Sequence, residues 1–116
     1  MYGHFTRLER RRLRDLAGRA YDRALERELG HLWSDFEAWQ RDEINPHELS
    51  ERIHRFHDGA ARDLYAVYRR GDPAHLVAAA YTDGRLSREE IGGALFGGIR
   101  DLIEADADRS EHDPPR

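Results

Sequence analysis

The stretch NPHELSERIHRFHDGAARDLYAVYRR, residues 45 to 70, constrains this chain most, because it lays two stripes along one helix. Leu49, Ile53, Phe56, Ala60, Leu64 and Val67 recur at steps of four, three, four, four and three. That is the spacing of a helix face turned towards a core. His54, His57, Ala61, Tyr65 and Tyr68 recur at three, four, four and three. With about 3.6 residues per turn, this second stripe lies roughly 100° further round the same cylinder. The first stripe predicts ordinary core. The second carries rings with polar tips and predicts a half-wet partner: another helix, a second subunit or a ligand.

Helix signals flank this segment on both sides. Thr6 with Glu9 forms a capping box that opens a long N-terminal helix, or two in series, reaching to about Asp42. Leu13, Leu16, Ala17 and Ala20 make one apolar face; Tyr21, Leu25, Leu29, Leu32, Phe36 and Trp39 make another, rotated from the first, with the slip near Gly18. Trp33, Phe36 and Trp39 predict the largest packing cluster at the end of that run. Asn45-Pro46 and Asp72-Pro73 each place a cap before a proline at the first helical position. The helix opened by Asn45 is read as continuous to Arg70, kinked at most at Gly59. Ser87 with Glu90 opens a last helix through Ile91, Leu95, Ile99, Leu102 and Ile103. The doublets Gly92-Gly93 and Gly97-Gly98 interrupt it and imply either close approach of another helix or a frayed end.

No segment sustains an alternation of apolar and polar residues, so no strand is expected. The fold class is all-α: a four- to five-helix bundle with a long N-terminal helix and a disordered acidic C-terminal tail. Residues 1–106 are expected as a single helical domain and 107–116, ADRSEHDPPR, as the tail.

Composition narrows the function classes. The 116 residues are 39% hydrophobic and 36% charged, which predicts a soluble protein. There is no window of about 20 apolar residues for a membrane span, and the start, MYGHFTRLERRRLR, does not read as a secretory signal. The expected compartment is the cytoplasm. Without cysteine there is no disulfide, thiol catalysis or thiolate metal site. A net charge of −4 argues against a generic nucleic-acid binder. The only candidate for such contact is the patch Arg7, Arg10, Arg11 and Arg14, whose simpler role is to solvate a helix.

Few constellations carry chemistry. If Gly84 took the glycine position of a calcium loop, Ala79 and Tyr81 would stand at the first and third ligand positions, so no calcium is expected. Glu28/His31 and Glu51/His54 have the i, i+3 spacing of di-iron bundles, and His47, Glu51, His54 and Asp58 form a second possible surface site. Arg52-x4-His57 resembles the Arg-x(4–6)-His signature of the HEPN superfamily, small helical ribonucleases and toxin–antitoxin components that act as dimers. That resemblance implies proton transfer by His57 and phosphate contact by Arg52. At Ile53 this chain departs from the polar residue usual in that family. No nucleophile–base system is present.

The stretch LSERIHRFHDGAARDLYAVY also resembles a segment of small bacterial all-helical proteins, with an RIHxFHDG-type core and no assigned activity. It implies a free-standing bacterial protein. The leading expectation is thus a non-enzymatic helical protein acting through protein–protein contact as a homodimer. Its contact surface would be His54, His57, Tyr65 and Tyr68, with no cofactor. The alternatives are a HEPN-like ribonuclease using Arg52 and His57, and a metal-binding bundle using Glu51 and His54.

Overall fold

In the computed structural model, which describes residues 5–112, the capping signals at Thr6, Asn45 and Ser87 are realised as hydrogen bonds, whereas Asp72 makes no side-chain cap bond and its Oδ2 lies 2.9 Å from His75 Nδ1. The Thr6 backbone N–H donates to Glu9 Oε1 at 2.9 Å and the Glu9 N–H to Thr6 Oγ1 at 3.1 Å, opening α1, Arg7–Gln40. The Glu48 N–H donates to Asn45 Oδ1 at 2.8 Å and opens α2, Pro46–Arg55. A π-helical turn, Phe56–Ala61, follows and leads straight into α3, Arg62–Arg70. After Gly71 come α4, Pro73–Thr82, then α5, Arg88–Ile91, with the Ser87/Glu90 capping box made in both directions. The last helices are α6, Gly93–Gly98, and α7, Arg100–His112. No strand occurs among the described residues, and no helix there is long and apolar enough to cross a membrane. The fold is all-α, with the long N-terminal helix expected.

The chain forms two compact units: one from the residues up to Ala20 together with those from Gly71 onward, the other Tyr21–Arg70. The change of apolar face near Gly18 falls beside this division, and α1 runs through it without a break.

The first unit holds nearly all of the core. Leu13, Leu16, Ala17 and Ala20 of α1 are buried, as are Ala74, Leu76, Val77, Ala78 and Ala80 of α4. Ile91, Leu95 and Leu102 are buried from the three last helices and Ile99 from the turn between α6 and α7, and α4 packs on α7. Helix α4 is apolar almost all round, as an enclosed helix must be. Arg85 closes the turn before α5: its Nε donates to Asp83 Oδ1 at 2.8 Å and its Nη1 to the Ala20 carbonyl at 3.2 Å.

The expected single last helix is three helices. Gly92 adopts φ 89°, a conformation that glycine alone takes without strain, and ends α5 there. The glycine doublets do not line a helix–helix contact either. A Cβ on Gly98 would lie 2.8 Å from Cε1 of Phe5, whereas Gly92, Gly93 and Gly97 have nothing within 4 Å. One buried ring, not a helix backbone, makes the close approach. Helix α7 continues through His112, into the stretch expected as a tail, and residues 113–116 lie outside the described residues.

The second unit is an antiparallel hairpin: the C-terminal half of α1, a turn at 41–45, and the arm α2–π–α3. In the turn, Arg41 donates to both Glu43 carboxylate oxygens, at 3.1 and 3.3 Å. This pairing holds the Arg41 guanidinium further above its usual pKa. The hairpin buries only Ala24 and Leu49. The aromatic cluster expected around Trp33, Phe36 and Trp39 is not a core, since Trp33 is 62% exposed and Trp39 39%. Two helices share one seam, and a single seam cannot enclose side chains that project more than about a quarter turn from it.

Candidate functional site

The π turn decides what the hairpin displays. A π turn holds one residue more than an α turn, so everything after it is rotated back by about 100° relative to an unbroken helix. Tyr68, which a regular helix would aim about 100° away from the Leu49 direction, returns to that direction. It stacks on Tyr21 of α1, with centroids 5.1 Å apart and ring planes at 21°. The same shift carries Val67 off the seam, and it is 53% exposed although it belongs to the apparent core stripe.

Azimuths counted from the seam at about 100° per residue sort the remaining side chains. With Tyr21 at zero, Leu25, Leu29 and Trp33 stand at about +40°, +80° and +120°, while Glu28, Asp35 and His31 stand at about −20°, −40° and −80°. From Leu49, Ile53 and His57 stand at about +40° and +80°, and Arg52 and Arg55 at about −60° and −120°. Past the π turn, Ala61, Tyr65 and Arg62 fall at about +20°, +60° and +120°. In antiparallel neighbours, positive rotation on either helix leads to the same side of the pair. The hairpin therefore has two distinct sides.

The negative side is a polar cleft of about 420 Å³ between Glu28, His31 and Asp35 on α1 and Arg52 and Arg55 opposite, floored by Leu32 and Phe56. Across it Arg52 Nη1 donates to Asp35 Oδ1 at 2.7 Å, and His31 Nδ1 stands 3.6 Å from Glu28 Oε2. The cations and carboxylates here are already matched to one another.

The positive side is more apolar. It combines Leu29, 45% exposed, Trp33, 62%, and Ile53, 38%, with a shallow cleft of about 360 Å³ lined by His57, Asp58, Ala61, Arg62 and Tyr65. Arg69 donates to the Tyr65 hydroxyl and lies 5.6 Å from its ring centroid. The formal charges on this side differ by arm. Asp22, Glu26 and Glu37 border it on α1, whereas Arg62 and Arg69, with Asp58 and the imidazoles of His54 and His57, border it on the other arm.

The candidate residues from the sequence separate accordingly. His57 and Tyr65 share the positive side with Leu29 and Trp33. Tyr68 is half-buried in the seam, and His54 is exposed with Nε2 3.0 Å from Asp58 Oδ2. Arg52 and His57 line opposite sides, so one chain does not bring them to a common phosphate. Glu51 stands 3.7 Å from Arg55 and is not joined to His54. Among the described residues no group of three or more His, Asp or Glu side chains is placed to hold a metal ion. In the other unit, Arg7, Arg10, Arg11 and Arg14 are exposed, while Arg12 Nη2 donates to the Glu90 carbonyl at 2.6 Å.

No protein-family model, curated protein or solved structure matches this chain. What the surface does must be read from its own chemistry. Leu29 and Ile53 escaped notice as a site because each sits in an apolar repeat that reads as core. The available signal was Trp33, which lies outside the Tyr21–Leu25–Leu29–Leu32–Phe36–Trp39 stripe.

Proposed function

We infer that this is a small non-enzymatic helical protein of the bacterial cytoplasm that works through protein–protein contact, as a homo-oligomer. The observation carrying the reading is the unfinished hairpin of residues 21–70: a two-helix element with Leu29, Trp33, Ile53 and Tyr65 between 38% and 62% exposed on one side. Apolar rings and branched chains grouped like this, with charges at the border, have the layout of a contact surface: apolar centre, polar rim. A second hairpin on that side would complete a four-helix bundle, the smallest arrangement in which each helix has two apolar neighbours. The matched charges of the opposite cleft and the separation of Arg52 from His57 support contact over catalysis.

Light scattering on size-fractionated protein at tens of micromolar tests this. The wild type is expected as a dimer and Trp33→Glu as a monomer, both with full helical circular dichroism. A wild type that stays monomeric overturns the reading.

A further inference from the structure

We propose that two copies of the 21–70 hairpin dock through the Leu29–Trp33–Ile53 side about a two-fold axis parallel to the helices, setting α1 of each copy on the α2–π–α3 arm of the other. The proposal rests on the self-association inferred above and specifies its partner surface and register.

Charge selects the axis. Two symmetric arrangements can cover this side. An axis running across the helices lays α1 on α1, and so Asp22, Glu26 and Glu37 against the same three acids. An axis parallel to the helices lays that acidic border against the arm that carries Arg62 and Arg69 with Asp58, beside the imidazoles of His54 and His57. Acids face acids in the first, whereas in the second they face a border where arginines outnumber the carboxylate, and complementary borders are what fix register at an interface. In the second arrangement every helix also lies antiparallel to both its neighbours, as in an up–down bundle.

The hairpin's own pairing sets the level of each contact. Asp35 stands opposite Arg52 and Tyr21 opposite Tyr68. Counting along the arms from these two pairs, Glu26 is level with Arg62, and Trp33 is level with the step between Ile53 and His57. An axis parallel to the helices preserves levels, so Glu26 of one copy meets Arg62 of the other at the outer flank. Trp33 enters the shallow cleft beside Ile53 and His57. Within one chain Glu26 and Arg62 point outward from opposite arms, at about +140° and +120°, and have no reason to pair.

The size is adequate. Twenty residues of helix at about 1.5 Å each give a side roughly 30 Å long, and two helices of about 10 Å make it roughly 20 Å wide. That projects to roughly 1,200 Å² in total over both copies, the lower end of specific interfaces and enough for a dimer that forms at micromolar concentration.

Mixing two oppositely altered chains tests the arrangement. Glu26→Arg alone sets Arg against Arg62 at both symmetric contacts, and Arg62→Glu alone sets Glu26 against Glu. Each is expected to raise the dimer dissociation constant about tenfold or more. Mixed in equal amounts, the two restore an Arg–Glu pair at both contacts, so a heterodimer forms with near wild-type affinity, read by native mass spectrometry. A wild-type dimer whose two variants fail to recover on mixing, or dimerise undisturbed alone, overturns this docking and leaves the self-association standing. A monomeric wild type overturns both. Circular dichroism on each exposed single variant excludes unfolding as the cause of any loss.

Discussion

At the scale of single residues, two neighbouring glycines behave oppositely. Gly98 is small because the Phe5 ring, itself 5% exposed, lies where a Cβ would go, 2.8 Å away. The ring is enclosed and cannot swing aside, so Gly98→Ala should cost about 1–3 kcal/mol in overpacking. Part of this is offset by about 0.5–1 kcal/mol of helix propensity. Gly97 has open space and no unusual backbone, so Gly97→Ala should stabilise by up to about 1 kcal/mol. Thermal unfolding of both variants should show the melting temperature falling for the first and rising for the second. A stabilised Gly98→Ala would mean that Phe5 is not held there. The doublets looked alike in the sequence because a glycine records only the lack of a side chain, never which neighbour requires it.

At the scale of elements, the π turn is the feature on which the hairpin depends. Deleting Gly59 would let Phe56–Ala61 close as regular α-helix and turn α3 by about 100°. Tyr68 would leave Tyr21, and Val67 would swing into the seam. The stacked pair should show a coupling of about 0.5–1.5 kcal/mol in a Tyr21→Ala/Tyr68→Ala double-mutant cycle, and the deletion should abolish it. An undiminished coupling in the shortened chain would contradict the phase assignment. Most elements were legible beforehand: the caps at Thr6, Asn45 and Ser87 work through residues within three positions of each other. The π turn was not. Its residues FHDGAA keep a helical pattern on both sides, and only Gly59 marks the spot. The break at Gly92 was likewise signalled by a glycine and nothing more.

At the scale of the whole molecule, the uneven distribution of core has consequences for assembly. One unit holds nearly all the buried apolar side chains, although Leu8 is exposed there, and the other leaves Trp33 and Leu29 uncovered. Because the charges flanking that side are exposed, their attraction is screened by salt over about 10 Å at moderate ionic strength. The dimer dissociation constant, followed by analytical ultracentrifugation, should therefore rise several-fold between low and molar salt. Constant or tighter association would assign the contact to apolar burial alone.

What the sequence by itself determined is local: an all-helical chain, the places where helices start, and the α1 face of Leu13, Leu16, Ala17 and Ala20 that does prove to be core. Capping and short-range periodicity involve neighbours within a turn or two, so they can be read from the residues themselves. Only the tertiary structure decided which apolar faces are enclosed, that Arg52 and His57 part to opposite sides, and that the histidine–tyrosine stripe divides, with His57 and Tyr65 on the Trp33 side and Tyr68 in the seam. The reason is that azimuth accumulates along a helix. One extra residue in a single turn re-aims every side chain beyond it, and here it brings Tyr68 onto Tyr21, more than forty residues away in the chain.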